Sequence, residues 1–347
     1  MSFVKSLFFF GPFFFGIAFL APLVAQVMLK LELQAPFALS PLAFGLIIGT
    51  VLGLCDVSGQ MDMTSQSLRA QEKAIADQFT GGIPWLMVFW GITNTAIWLA
   101  LWPLVFTGVM PLWLGFIIAS INITMSYLPS HDAQHYIIAP KGSKLEWFNE
   151  LVGHWSLIPL TLPLRTARIT HMEHHKHAND PLLDPDYSTH ATGPLHALWK
   201  TVVNRQPRAT GGFNRYGEML QQWDSPATKA ALNDAIISKT LFFGILAALA
   251  LSGYAIEAAL LWWLPRHLAL TYISFYLSWA PHHPADGKGR YKDTRAFKSR
   301  IGNIWSSGMQ YHIVHHLYPT IPLNKTPAAY RALRPILAER GCNLDNM

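Results

Sequence analysis

The stretch "HMEHHKHANDPLLDPD" (residues 171–186) places four histidines within seven residues and follows them with three aspartates spaced by prolines. An ordinary surface loop has no use for so many imidazoles and carboxylates, and the apolar core of a membrane would be destabilised by them. The rest of the chain is largely hydrophobic. The contrast predicts a polar site that is held by an apolar scaffold.

The composition is that of a membrane protein. Of the 347 residues, 51% are hydrophobic and only 13% are charged, whereas soluble domains carry about 25% charged residues. The net charge of +6 does not indicate a nucleic-acid partner, because the basic residues are scattered and no recognition motif is present. Cys55 and Cys342 form no CxxC pair, so we expect both thiols to be reduced.

Six segments are apolar and long enough to cross a bilayer, which requires about 17–25 residues each. A polar, helix-prone stretch (58–82) separates the second from the third, and the apolar stretch 151–165 is too short to span. We expect that short stretch to be re-entrant or to lie at the membrane interface. The predicted spans lie near 6–28, 37–56, 84–107, 111–129, 238–254 and 258–280.

The distribution of basic residues predicts the topology. If the amino terminus lies inside, the outer loops near 29–36, 108–110 and 255–257 contain only Lys30 of the 26 lysines and arginines, a strong positive-inside bias. We therefore predict an all-α integral membrane protein with about six transmembrane helices. It forms a single domain over residues 1–347 in a bacterial inner membrane, with a cytoplasmic helical cap (130–237 and 281–347).

Ten of the 15 histidines lie in four groups on the same predicted face of the membrane, and no histidine precedes His131. The groups are "HDAQH", "HMEHH", "PHHP" and "HIVHH". Because helix positions i, i+3 and i+4 share one face, each box is expected to aim its imidazoles at a common point. Nine candidate ligands exceed the needs of one tetrahedral zinc and suit two metal ions. Imidazole binds iron, copper, zinc and nickel, so the ligands do not name the metal.

The three boxes resemble those of the membrane fatty-acid desaturase superfamily of non-haem di-iron enzymes. Within it, "HHKHANDPLLDPD" and the carboxy-terminal block that begins "GNIWSSGMQYHIVHH" are similar to the cyanobacterial-type beta-carotene hydroxylase. The stretch "APHHPAD" resembles one shared with beta-carotene ketolases. The resemblance covers roughly residues 125–342 and leaves the first two predicted spans unmatched.

The resemblance implies two iron ions, molecular oxygen as co-substrate, and electrons from an external donor such as ferredoxin. The HPGG motif of a fused cytochrome b5 domain does not occur in the sequence. His283 stands where the family commonly has arginine, and it is left out of the ligand set. The implied iron ligands are His131, His135, His171, His174, His175, His282, His312, His315 and His316.

Three acidic residues near the boxes are candidates to accept the outer N–H of a ligand histidine and so fix its tautomer: Asp132, Asp184 and Asp186. The alternative for the last two is a proline-stiffened turn with solvated carboxylates. Arg266 and His267 lie inside the sixth apolar segment; we expect them to be structural, near Pro265, or else to line a substrate tunnel. No role follows from the sequence for His154, His177, His267 and His283.

The principal functional prediction is a di-iron monooxygenase that hydroxylates the β-ring of a carotenoid or a related membrane lipid. The alternative is a fatty acyl desaturase, because the same histidine boxes serve both reactions. A metal transporter or sensor is the third hypothesis. It is disfavoured, since a transporter places polar residues along a path at mid-membrane, whereas these histidines gather beyond the ends of the spans.

Overall fold

A computed structural model of the chain describes residues 10–206, 210–299, 302–305 and 308–344. All regular structure within these ranges is helical and no strand occurs there, as predicted. The α-helices in chain order are α1 (Gly11–Phe15), α2 (Ala21–Lys30), α3 (Pro41–Asp77), α4 (Trp85–Phe106), α5 (Leu112–Met125), α6 (Tyr127–Gln134), α7 (Glu146–Leu157), α8 (Leu164–His177), α9 (Pro194–Val203), α10 (Gly212–Trp223), α11 (Pro226–Leu251), α12 (Ala255–Ala258), α13 (Leu264–Tyr272), α14 (Ala280–His282), α15 (Gly302–Trp305), α16 (His312–Leu317) and α17 (Thr326–Glu339).

Shorter π and 3-10 segments continue or connect these helices. The π segments are Gly16–Leu20, Ala259–Trp263 and Ile273–Trp279, and the 3-10 segments are Pro36–Ala38, Pro185–Thr189, Met309–Tyr311 and Leu323–Lys325. The chain divides into two compact units, residues 1–74 and 75–347, and every histidine lies in the second. Cys342 forms no disulfide with a described residue; the side chain of Cys55 lies outside the described residues.

Among the described residues, four helices are long and apolar enough to cross a membrane, so the prediction of six is not confirmed. The four are Phe13–Lys30, Trp85–Phe106, Leu112–Gln134 and Pro226–Leu251. The predicted second span is the beginning of α3, a helix of 37 residues that also contains most of the polar stretch 58–82. Its apolar part, Pro41–Leu52, is shorter than a span.

The predicted sixth span is helical but not one regular helix. From Ala255 to His282 the chain alternates between α-helix and π-helix, with Pro265 near the start of α13. Proline lacks the N–H that an interior helical hydrogen bond needs, and π segments commonly absorb such irregularities. The sequence predicted the helical nature of this segment, whereas its breaks depend on how the backbone is packed.

The core of the second unit is built around the apolar stretch 151–165, which was predicted to be re-entrant or to lie at the membrane interface. Leu157, Leu160 and Leu164 are fully buried there, in one cluster with Trp98 of α4 and Trp262 of the π segment. Indole nitrogens connect the segments through backbone carbonyls: Trp98 donates to Leu261 at 3.0 Å and Trp262 donates to Pro159 at 2.8 Å. These bonds satisfy polar groups that have no access to water.

Arg168 attaches α8 to the elements beside it. Its guanidinium forms two hydrogen bonds with the Glu150 carboxylate, at 2.6 and 3.1 Å, and donates to the Ala133 carbonyl at 3.0 Å. The same group lies over the ring of Tyr136, 4.1 Å from its centroid. A bidentate, partly buried pair of this kind fixes orientation as well as distance. It therefore holds α8, which carries the central histidine box, against the turn of the first box.

Close packing at Gly91 sets the distance between α4 and the first histidine box. A β-carbon at Gly91 would lie 2.5 Å from Ser156 Oγ and 2.8 Å from Pro129 Cβ, and Pro129 precedes His131 by two residues. We expect Gly91→Leu to destabilise the protein by about 1–3 kcal/mol, the usual cost of overpacking. The measurement is thermal unfolding in detergent, monitored by size-exclusion chromatography.

Gly244→Leu is the matched control, because Gly244 also lies in a candidate span and its β-carbon would meet nothing within 4 Å. This variant is expected to unfold within a few degrees of the wild type. Equal stability of the two leucine variants would show that the approach at Gly91 has no structural importance.

Candidate metal centre

Four separate parts of the chain carry the predicted ligands. Helix α6 carries His131, and His135 follows at its carboxyl end; α8 carries the second box and α16 carries the third, while His282 ends α14. Most of these side chains are buried: His131 is 2% exposed, His312 is 3% and His315 is 1%. All nine rings converge within the second unit.

The histidines form two groups, in each of which the candidate ligand atoms lie within 4.8 Å of one another. The first group is His131, His135, His171 and His315, and the second group is His174, His282, His312 and His316. His175 lies between the groups. Its Nε2 is 3.3 Å from His171 Nε2 and 2.8 Å from His315 Nε2, and its ring stacks on that of His316 with centroids 4.2 Å apart.

The expectation that each box aims at one common point is wrong for the two HxxHH boxes. His171 of the second box belongs to the first group and His174 to the second. In the third box, His312 and His316 share a group, while His315 belongs to the other. The reason is helical geometry, since 3.6 residues per turn rotates neighbouring side chains by about 100°. Positions three apart, such as His171 and His174, still differ by about 60° around the axis, and the adjacent His315 and His316 differ by about 100°, so each pair points to different groups.

The spacing of the nitrogens fits metal coordination. His171 Nε2 lies 3.0 Å from His135 Nε2, and His174 Nε2 lies 3.1 Å from His282 Nε2. Two nitrogens bonded to one ion at about 2.1 Å and at right angles are separated by about 3.0 Å. The buried ring nitrogens of His131 and His312 have no hydrogen-bond partner among the described residues. Such atoms are rare in folded proteins, and bound metal would satisfy them, so the residues present fit two metal ions.

Burial favours the neutral imidazole, which is the form that binds metal. It lowers the pKa of His135 well below its usual value, and the neighbouring His131 and His175 lower it further. Burial likewise lowers the pKa of His282 to about 3. Protons therefore do not compete effectively with a metal for these nitrogens near neutral pH.

His174 differs because a carboxylate faces its outer nitrogen. Its Nδ1 lies 2.8 Å from Asp184 Oδ1, and both side chains are buried. Burial opposes a charge on His174, but Asp184 outweighs this effect and raises the pKa of His174 to about 9. The carboxylate holds a proton on Nδ1, so a metal that binds His174 would displace the proton on Nε2, which is directed at the second group. Asp184 also accepts from the backbone N–H groups of Asn179 and Asp186, which fix it in place.

The other two acidic candidates contact different partners. The Asp186 carboxylate accepts from the hydroxyl of Tyr216 and, at 3.5 Å, from Ser278 Oγ, and no ligand histidine among the described residues bonds to it. Asp132 Oδ1 accepts from the backbone N–H of Leu323 at 3.3 Å. Asp132 therefore ties the first box to the chain after α16. Of the three candidates, only Asp184 contacts a histidine.

Other polar groups that support the site were not identified from the sequence. His282 Nδ1 donates to the backbone carbonyl of Asp293 at 3.0 Å, and Asn179 Nδ2 donates to the same carbonyl at 2.8 Å. Asn179 lies close to the second box in the sequence, and this proximity could have indicated that it supports the site. No pattern in the sequence could have indicated a backbone carbonyl.

The four unassigned histidines lie outside both groups. His177 is 3.7 Å from the Glu173 carboxylate, and the ring of His267 packs on Trp263. His283 packs on Trp279, and His154 is exposed at the surface of α7. The exclusion of His283 from the ligand set stays a prediction.

The two groups predict a metal content of two ions per chain. We expect His175→Ala to lower it, because this ring touches members of both groups. The measurement is inductively coupled plasma mass spectrometry of detergent-purified protein after loading with iron(II). His177→Ala, two positions along the same helix, is the control and should retain the wild-type content. Equal content in the two variants would exclude His175 as a ligand.

Asp184→Ala tests whether the carboxylate orients His174. Removing a hydrogen-bond acceptor behind a metal-binding histidine typically weakens metal affinity by about 10–100-fold, and we expect a loss in that range from competition with a chelator. Asp224→Ala is the control, since the Asp224 side chain is 73% exposed and pairs only with Lys229 among the described residues. Unchanged affinity in Asp184→Ala would contradict the orienting role.

Several known lipid desaturases are similar to this chain in sequence. The sn-1 oleoyl-lipid 12-desaturase of Anabaena variabilis is 23% identical over 261 residues, which cover 68% of this chain and 72% of that protein. The sn-1 acyl-lipid omega-3 desaturase (ferredoxin) of Nostoc sp. (strain 36) is 25% identical, with 61% of this chain and 64% of that protein covered. A putative sphingolipid delta(4)-desaturase/C4-monooxygenase of Caenorhabditis elegans is 27% identical, with coverages of 62% and 56%.

These relatives favour the acyl desaturase alternative over carotenoid hydroxylation, and the special closeness to beta-carotene hydroxylase is not confirmed. A model of the family "Fatty acid desaturase" matches residues 107–345, a range that contains all nine predicted ligand histidines. Together with the apolar helices, the match identifies an integral membrane oxidoreductase. The chain belongs to the fatty acid desaturase family.

Proposed function

We propose that this protein is an acyl-lipid desaturase that introduces a double bond into the hydrocarbon chain of a membrane lipid. The observation that carries the proposal is a cavity of about 110 Å³, here called the inner cavity. His131 and His171 of the first group line it together with His174 and His312 of the second. Polar residues such as Asp186 and Arg205 form part of the wall, and apolar side chains form another part: Leu162, Ala167, Leu270, Ile273, Leu277 and Met309.

Apolar side chains that line the inner cavity beside members of both histidine groups suit the hydrocarbon chain of an acyl lipid. Such a chain can enter from the bilayer without crossing water, and apolar walls favour its burial. The names of the relatives from Anabaena variabilis and Nostoc also favour an acyl lipid as substrate. Carotenoid hydroxylation, the principal prediction from the sequence, has less support.

The nine histidines would hold two iron ions, and iron with molecular oxygen supplies the oxidising power that attacks an unactivated C–H bond. Overall, R–CH2–CH2–R′, O2, two electrons and two protons give R–CH=CH–R′ and two waters. The protein itself positions the chain and excludes water. Leu162 and Met309 line the path beside the ligands, and Asp184 keeps the outer proton on His174.

The two electrons require a reductant, and we propose a soluble donor of the ferredoxin type. The relative from Nostoc is named as a ferredoxin desaturase, which supports this class of donor. We also propose that the histidine groups face the cytoplasm of a bacterial inner membrane. The support is the charge bias of the predicted six-span topology, in which Lys30 is the only basic residue of the outer loops.

The family match lies within the second unit. We propose that residues 1–347 nevertheless act as one desaturase domain, with the candidate span Phe13–Lys30 as an additional anchor in the membrane.

Expression in a bacterium that makes both oleoyl lipids and beta-carotene tests the proposal. We expect new double bonds in the acyl chains, detected by gas chromatography with mass spectrometry of fatty acid methyl esters, and no hydroxylated pigment. His175→Ala should abolish the product while still inserting into the membrane, and His177→Ala should keep it. Hydroxylated carotenoid without new double bonds would overturn the proposal in favour of the monooxygenase.

A further inference from the structure

A larger cavity of about 420 Å³, here called the outer cavity, adjoins the inner one. The two cavities are neighbours that share a wall, because six residues line both of them: Leu162, Asn204, Arg205, Phe213, Tyr216 and Leu270. A ligand that occupies both would extend from the outer cavity to the histidine groups.

The outer cavity opens on an apolar surface. Ile236 and Phe243 of α11 line it and are 56% and 54% exposed, and Trp263 on the neighbouring segment is 44% exposed. Helix α11 is one of the candidate membrane spans, so a bilayer would cover this face. The occupant of the cavity therefore comes from the membrane.

Three cations from three different elements also line the outer cavity: Arg205 after α9, Lys239 on α11 and Arg266 on α13. None of them forms an ion pair with a described residue, and no aspartate or glutamate occurs in the described lining. Cationic groups beside an apolar, membrane-facing opening are costly unless an anion or water accompanies them.

The hydrogen-bonding capacity of these cations is only partly used. Arg205 Nη2 donates to Thr271 Oγ1 at 2.8 Å, while its buried Nη1 has no partner among the described residues. Arg266 Nε donates to the Leu160 carbonyl and to Thr161 Oγ1, which fixes the guanidinium and leaves its terminal nitrogens for another acceptor. Guanidinium groups recognise phosphate and related oxyanions through paired N–H donors.

We infer that the outer cavity binds the anionic headgroup of a membrane glycerolipid through Arg205, Lys239 and Arg266, and that the protein acts on anionic lipids in preference to neutral glycolipids. The inference rests on the proposed function and adds the headgroup class of the substrate. With the headgroup held there, one acyl chain extends past Phe213 and Leu270, which line both cavities, and reaches the inner cavity.

The experiment compares two lipids with identical oleoyl chains, phosphatidylglycerol and the neutral monoglucosyldiacylglycerol. Full-length protein in detergent is incubated with an equimolar mixture, and native mass spectrometry counts the bound molecules of each. We expect about a tenfold preference for phosphatidylglycerol, the effect of one or two hydrogen bonds to a charged group. Equal retention of the two lipids would overturn the inference.

The double variant Arg205→Gln/Lys239→Gln should bring the preference close to unity. Lys239→Gln alone should reduce the preference for phosphatidylglycerol. Because the Lys239 side chain is exposed, we expect this variant to fold, so it still tests the inference if the double variant does not fold. The matched control is Lys229→Gln on the same helix; Lys229 pairs with Asp224 and does not line the cavity. It should retain the wild-type preference. A wild-type preference in Lys239→Gln and in a folded double variant would contradict the assignment.

Soluble competitors identify the source of the anion. Millimolar glycerol 3-phosphate and micromolar oleoyl-CoA should not displace phosphatidylglycerol. Displacement by glycerol 3-phosphate would indicate a site for free phosphate, and displacement by oleoyl-CoA would indicate a thioester substrate; either result overturns the lipid assignment.

Activity measurements separate this inference from the proposed function. Desaturation of both lipids with equal kcat/KM would reject the headgroup inference and leave the desaturase intact. Selective binding of phosphatidylglycerol without any desaturation would reject the proposed function and leave the anion site intact.

Discussion

The candidate metal centre depends on one geometric property of the α-helix, the rotation of about 100° between consecutive residues. His174 and His175 in α8, and His315 and His316 in α16, are adjacent in sequence and therefore point in different directions. Each of these two helices supplies ligands to both histidine groups. Together with α6 and the end of α14, these two helices form both histidine groups, which are the two candidate metal positions.

Such a concentration of imidazoles requires a rigid, largely dry scaffold. Burial keeps the rings of His135 and His316 uncharged by lowering their pKa, so the groups do not repel one another as cations. The scaffold gains its rigidity from buried leucines and from donors such as Arg168 and Trp262, which bond to backbone carbonyls of neighbouring segments. Bonds of this kind are favoured where water cannot replace them.

The same scaffold connects the chemistry to the membrane. The inner cavity touches both histidine groups, and it shares a wall with the outer cavity, which opens on the apolar face of α11. The histidine boxes are common to hydroxylases and desaturases, so they indicate the reaction type but not the substrate. The lining of the cavities includes Phe213 and Arg205, which lie between the second and third histidine boxes, where no box motif indicates the substrate.

The sequence by itself determined the all-α class, the membrane character and the nine histidines, because hydropathy, composition and local spacing are properties of short stretches. It indicated Asp184 as a partner of a box histidine. For Arg266 it left two alternatives open, a structural role or a position in the wall of a substrate tunnel. Only the tertiary structure decided how the boxes divide into two groups, that Asp186 faces Tyr216, and that Arg205 and Lys239 share a cavity. These relations join residues far apart in the chain, and their distances follow from packing, which no local pattern records.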